Sequence, residues 1–219
     1  MKRKKAIVLL SGGLDSTTLL YLARKKGYKC SCLIFDYNQR HKKELNYAVR
    51  IAKKNDSEYR IVKFSLPWKG SSLLDKSFSI PKISLNKKSI PSTYVSARNI
   101  IFLSFAVSFA EVSGASAIFI GANQIDYSGY PDCRDDFFKS FKQMINKGTK
   151  NGKKIAIKTP LINLTKAGII KLGDKLKVPY QFTWSCYRGG KFPCGTCDSC
   201  RFRAKGFKQA RVIDPLLER

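Results

Sequence analysis

The chain has 219 residues, 43% of them hydrophobic, and carries 42 Lys and Arg against 15 Asp and Glu, a net charge of +27. That length buries one full core with an appendage, and the longest apolar stretch, residues 100–110, is too short to span a bilayer and is broken by Ser104 and Ser108. The excess lysine is spread over pairs such as Lys42-Lys43, Lys53-Lys54, Lys87-Lys88 and Lys153-Lys154, a bias that raises polyanion affinity at low salt without forming a groove, so no dedicated nucleic-acid partner and no membrane is expected.

Residues 6–10 read as a strand and residues 16–26 as a helix, with Ser11-Gly12-Gly13-Leu14-Asp15-Ser16 between them. A strand feeding a glycine turn that opens a helix aims several backbone N–H groups at one point, and the helix dipole adds partial positive charge there. That is a phosphate site. Gly12 and Gly13 let a phosphate approach the main chain, Ser11 and Ser16 add hydroxyl donors, and Asp15 caps the helix or holds a metal. The Gly-Lys-Ser/Thr ending of the nucleotide-hydrolase P-loop is absent.

A second strand, residues 30–35, contains Cys30 and Cys32 as small core residues and runs into Asp36-Tyr37-Asn38-Gln39-Arg40-His41, which holds the single histidine of the chain. A helix over 42–54 and a strand over 59–64 follow. Residues 66–96 carry Pro67, Pro81 and Pro91 with little periodicity and read as an excursion over the site or part of a subunit contact. A buried helix over 99–112 leads to a strand over 117–121 and then to a loop crowded with Asp126, Asp132, Arg134, Asp135 and Asp136. Such charges are costly to bury unpaired and suit a polar ligand: the N–H edge of a purine-like base donates to a carboxylate, and an arginine pairs with a substrate carboxylate. Helices over 135–145 and 164–176 come next.

Strands alternating with helices imply β–α–β units, hence an α/β fold with a doubly wound, mainly parallel sheet. Ligands of such sheets bind at the carboxyl ends of the strands, so the three polar loops open on one rim. Residues 1–180 form this domain and residues 181–219 a metal-binding segment packed on it. In that segment Cys186, Cys194, Cys197 and Cys200 read C-x7-C-x2-C-x2-C, thiolates spaced for a tetrahedral metal, with zinc as the default ion. Iron–sulfur is possible on ligand type but lacks any redox context here, and disulfides suit a chain without an apolar leader poorly. The expected location is cytoplasmic.

The SGGLDS turn after the first strand resembles the pyrophosphatase loop of enzymes that adenylate a substrate. Taken with Tyr37-Asn38-Gln39-Arg40-His41, Ser96-Ala97-Arg98-Asn99, SGYPDCRDDF at 128–137, TPLINLTKA at 159–167 and the four cysteines, the chain is similar to the 7-cyano-7-deazaguanine synthase family of the queuosine precursor pathway, over about residues 6–207. It departs from the family's valine-proline-glycine-arginine-asparagine stretch, which is Val95-Ser96-Ala97-Arg98-Asn99 here.

The resemblance implies an adenine nucleotide alpha hydrolase-like fold and an ATP-dependent ligase that joins 7-carboxy-7-deazaguanine and ammonia, using ATP, Mg2+ and Zn2+, as a homodimer. It assigns ATP to Leu10, Ser11, Gly12, Gly13, Leu14, Asp15, Ser16, Thr17, Thr18, Leu19 and Leu20 with Tyr37 and Arg40. The substrate falls to Arg98, Asn99, Asp126, Asp132, Arg134 and Asp135. Catalysis falls to Asp15, Ser16, Asp132 and Arg134, with Lys166 a candidate to neutralise pyrophosphate and the zinc structural. The competing readings are a pyrophosphatase-loop enzyme acting on tRNA, such as a thiolase or a lysidine-type ligase, and a noncatalytic zinc- and nucleotide-binding module.

Overall fold

The computed structural model describes residues 3–80, 90–123 and 129–217. Five parallel strands form one sheet in the order β3-β2-β1-β4-β5: β1 Lys5–Leu9, β2 Lys29–Asp36, β3 Glu58–Lys63, β4 Ala117–Phe119 and β5 Ala156–Lys158. The helices are α1 Leu14–Lys25, α2 Lys43–Lys54, α3 Arg98–Ser113, α4 Asp135–Gly148, α5 Lys166–Lys175 and α6 Asp198–Ala210. No helix among the described residues is long and apolar enough to cross a membrane.

Period-two alternation along β1 sends Ile7 and Leu9 to one face and Ala6 and Val8 to the other. The first pair packs with Leu103, Ala106 and Val107 of α3 and with Phe138 and Phe141 of α4. The second pair packs with Leu19 and Leu20 of α1, Ile51 of α2, Ile169 and Ile170 of α5 and Phe207 of α6. Both faces of β1 are therefore buried, which is why its sequence is a continuous apolar run. The chain winds outward through β2 and β3 and then returns to the other side of β1 through β4 and β5. This reversal opens a crevice at the carboxyl ends of β1 and β4, where doubly wound sheets bind ligands.

Two elements have no counterpart in the sequence reading. β5 is three residues long, too short for alternation to register, and is recruited because Ala117, Ile118 and Phe119 lie beside Ala156, Ile157 and Lys158. α6 is rich in Lys and Arg, and its buried stripe is carried by Gly206, Phe207 and Ala210 rather than by large aliphatics. Gly206 is there because a Cβ would meet Lys166 Cγ at 2.5 Å, so α6 presses directly on α5. Cys30 and Cys32 are buried in β2 as expected, and burial pushes the Cys30 thiol up to about 11.

Candidate active site

The crevice is a cavity of about 270 Å³ lined by the end of β1, the β1–α1 turn, the loops after β2 and β4, the start of α3 and residues 184–187. The turn is preassembled. Gly12 sits at φ +78, and a Cβ there would meet the Glu44 carbonyl oxygen at 2.4 Å and Ala48 N at 2.6 Å, so α2 packs against bare main chain. Gly13 is the extended N-cap of α1. The Ser11 and Ser16 hydroxyls lie 3.0 Å apart, Ser16 Oγ accepts from Ser11 N–H at 3.2 Å, and Thr17 Oγ1 donates to the Gly13 carbonyl at 2.8 Å. The first N–H groups of a helix have no intrahelical acceptor, and here they stand at the cavity floor, where an anion would satisfy them.

Asp15 lies in the first turn of α1 and its carboxylate accepts two hydrogen bonds from Lys166 Nζ, at 2.8 and 2.7 Å. Lys166 is 8% exposed. The loop after β4 closes on the same point, since a Cβ on Gly121 would meet Ser16 N at 3.4 Å. Thr18 donates to the Leu14 carbonyl and meets Tyr180 Oη at 2.9 Å, which ties α1 to the chain beyond α5.

The opposite wall carries Tyr37, Gln39, Glu44, Arg98 and Asn99. Tyr37 is buried against Phe64 and Phe102, and its hydroxyl accepts from Arg98 Nη1 at 3.4 Å. Gln39 is locked by main chain: its Oε1 accepts from Tyr37 N–H at 3.0 Å, and its Nε2 donates to the Phe35 carbonyl and, at 3.2 Å, to Glu44 Oε1. Burial pushes the Glu44 carboxyl up to about 7. Asn99 is clamped by Asp132, whose Oδ2 accepts the Asn99 N–H at 3.0 Å while Asn99 Nδ2 donates to the Asp132 carbonyl at 2.9 Å. Asp132 thereby caps α3 from another segment. Ala97, at the N-cap of α3, holds φ 55 in the left-handed region, a conformation that glycine adopts without cost.

The four cysteine sulfurs lie within 4.8 Å of one another, with Cys194 Sγ and Cys200 Sγ at 4.0 Å. A tetrahedron with 2.3 Å zinc–sulfur bonds has edges of about 3.8 Å, so the donor set fits zinc. Backbone N–H groups of Arg188 and Cys194 donate to Cys186 Sγ and that of Cys197 to Cys194 Sγ, which favours thiolates. Hydrogen bonds with Cys197 and Cys200 hold the Cys186 thiol far below its ordinary value. The cluster also supports the cavity: Trp184 N–H donates to the Gly12 carbonyl at 2.9 Å, and Lys43 Nζ sits 3.7 Å over the Trp184 ring while donating to the Gly190 and Lys191 carbonyls. Gly189 packs on His41, where an added Cβ would meet the His41 Cβ at 2.5 Å.

Leu10, Ser11, Gly13, Leu14, Asp15, Ser16, Tyr37, Arg40, Arg98, Asn99 and Lys166 all line the cavity. Gly12, Thr17, Thr18, Leu19 and Leu20 stand behind it, the last two fully buried in the core. Arg40 spends its guanidinium on the Ser72 and Phe78 carbonyls, pinning the excursion after β3 across the cavity beside Leu73. Asp132 is buried under Asn99, Arg134 is exposed, and Asp135 pairs with Lys139 at 2.6 Å; none of the three lines the cavity. Asp126 lies outside the described residues. Cys133 does line it, and burial pushes its thiol up to about 12, which disfavours a thiolate nucleophile. Glu44, Trp184, Tyr187 and Arg203 were not singled out from sequence. The signal for Glu44 was available, a lone acid in the first turn of a helix whose neighbours are lysines.

The model of the family described as queuosine biosynthesis protein QueC matches residues 5–211. A 7-cyano-7-deazaguanine synthase of Nostoc punctiforme is 48% identical, over 97% of this chain and 99% of that protein. One of Acetivibrio thermocellus is 52% identical, over 97% of each. Among solved structures, an NMN synthetase from Francisella tularensis aligns with a TM-score of 0.51 at 17% identity, over 96% of this chain and 78% of that one, a likeness of fold. With the glycine turn, the crevice and the four-cysteine cluster all inside the matched span, the chain belongs to the QueC family of queuosine biosynthesis, the 7-cyano-7-deazaguanine synthases.

Proposed function

We propose that the protein converts 7-carboxy-7-deazaguanine and ammonia to 7-cyano-7-deazaguanine, spending ATP twice. The observation that carries this reading is a single cavity lined both by the anion-seeking turn of residues 11–16 and by Arg98, an arginine whose recorded partner is a phenol rather than a carboxylate. A carboxylate has no leaving group. Transfer of its oxygen to the α-phosphate of ATP gives an acyl-adenylate and pyrophosphate, ammonia displaces AMP to give an amide, and a second adenylation of the amide oxygen permits elimination to the nitrile.

The free N–H groups of α1 and the hydroxyls of Ser11 and Ser16 hold the departing pyrophosphate, with Lys166 beside it. Arg98 takes the substrate carboxylate, oriented by Tyr37, while Asn99 is fixed by Asp132. Asp15 is the hard oxygen donor that Mg2+ prefers, and the ion, when bound with the nucleotide, would offset phosphate charge. Four thiolates leave no open position on zinc, so the cysteine cluster is structural. The test is to supply ATP, Mg2+, ammonium and 7-carboxy-7-deazaguanine and look for the nitrile by mass spectrometry. Turnover that requires tRNA instead of the free heterocycle would favour a tRNA-modifying enzyme.

A further inference from the structure

The cavity lining holds two carboxylates among the described residues, and they are treated differently. Asp15 is neutralised by Lys166 at 2.7 Å. Among the described residues Glu44 has no ion-pair partner, and its Oε1 accepts from Gln39 Nε2 at 3.2 Å. Arg98 acts on it through space without closing a salt bridge. Other cavity cations are engaged elsewhere, Arg203 with Asp214 and Arg40 with main-chain carbonyls. A half-buried carboxylate without a salt-bridge partner attracts a small cation, which offsets its desolvation.

We propose that Glu44 is the ammonium acceptor and general base of amide formation, a role that rests on the adenylating reaction above. Gln39 holds Oε1, and Oε2 is left to take an N–H of ammonium. The helix turn that carries Glu44 abuts Gly12, so the captured nitrogen arrives beside the pyrophosphate turn. In the step, one N–H bond of ammonium breaks and its proton passes to Glu44 Oε2. The freed lone pair forms the C–N bond at the acyl carbon, the acyl C–O bond breaks with its electron pair leaving on AMP, and the second proton lost from nitrogen goes to water. A carboxyl raised to about 7 accepts a proton near neutrality, and Gln39, itself held by the Tyr37 N–H, fixes the carboxylate through Oε1.

The experiment compares wild type with Glu44→Gln in three assays: ATP–pyrophosphate exchange dependent on 7-carboxy-7-deazaguanine, amide and nitrile formation against ammonium concentration, and hydroxamate formation with hydroxylamine. Hydroxylamine is largely neutral at neutral pH and needs no deprotonation before attack. The variant should keep exchange, lose about 10²-fold in kcat/KM for ammonium, and recover with hydroxylamine. Unchanged use of ammonium overturns the proposal. So does loss of exchange in step with loss of ammonium use, which would give Glu44 to the heterocycle or the metal. Wild-type protein without any exchange would instead overturn the adenylating reaction itself. Should the glutamine variant fail to fold by thermal melting, Glu44→Asp is the substitute: it keeps the charge but withdraws the oxygen, and the same ammonium-selective loss with intact exchange is required of it.

Discussion

Two walls of the cavity are built by different means. The floor, residues 11–16, is an extension of the central strand, and its shape comes from main chain and short hydroxyls within one continuous stretch. The wall formed by residues 184–187 lies beside the cysteine cluster, with Trp184 and two of the cysteines, Cys186 and Cys197, nearly inaccessible and few aliphatic neighbours in their packing group. The first wall needs only the sheet. The second needs its four sulfurs held together, and it meets the floor through the Trp184 N–H donated to Gly12.

Cys197→Ser is the largest test of this difference. Metal analysis of wild type should find about one zinc per chain, and the variant should lose zinc and melt at a much lower temperature, since binding free energy of a structural zinc is on the order of 10 kcal/mol of folding free energy. Cys30→Ser, in the core of β2, should leave the zinc content unchanged. Full zinc occupancy in the Cys197→Ser protein would remove that residue from the ligand set and leave the second wall unexplained.

Asp15→Asn tests the floor. The amide keeps the volume but cannot neutralise Lys166 or offer a full negative charge to Mg2+. Steady-state turnover should fall by about 10²-fold or more, the loss typical of one preorganised electrostatic group, and the melting temperature should fall as well, because the buried Lys166 loses an ionic partner. Turnover near the wild-type level in Asp15→Asn would take Asp15 out of the chemistry.

The same contrast explains what was legible in the sequence. The floor was readable because everything that makes it, apolar strand, two glycines, two serines and a helix start, is contiguous. The cysteine cluster was readable because ligand spacing is itself a geometric statement. Lys166 was identified as a candidate for phosphate although its fixed partner, Asp15, stands 151 positions away. Asp132, Arg134 and Asp135 form a dense polar motif, yet a motif does not say which way side chains turn. In the fold Asp132 caps α3 through Asn99 and Asp135 pairs within its own helix. Glu44 was not legible because its place on the cavity lining, against Gln39 and the Gly12 turn, is a property of the assembled fold, invisible among the lysines that flank it in the chain.

A third comparison sets Arg98, on the lining, against Arg134, exposed. Arg98→Lys should raise KM for 7-carboxy-7-deazaguanine by about 10-fold or more, a charge-assisted bidentate contact being worth about 1.5–3 kcal/mol, with little change in KM for ATP. Arg134→Ala should change either constant far less. Steady-state kinetics with each substrate varied in turn decides it, and a heterocycle defect confined to Arg134→Ala would move the carboxylate site to the loop before α4.

The smallest effect concerns the residue that sets Arg98 in place. Ala97 holds φ 55 immediately before α3, and an L-residue in that region costs about 1–2 kcal/mol that glycine does not incur. Glycine gives part of this back through the greater freedom of its unfolded chain. The net expectation for Ala97→Gly is a gain of about 0.5–1 kcal/mol, or a rise of about 1–4 °C in melting temperature for a chain of this size. The Tyr94 hydroxyl accepts the Ala97 N–H at 3.1 Å, and Asp132 holds the N–H of Asn99 two residues on. These contacts pin the turn from both sides, so KM for the heterocycle should not change in the variant. A fall in melting temperature would mean that the turn is held by the alanine methyl rather than strained by it, and a changed KM would mean that the strain itself aims Arg98 into the cavity.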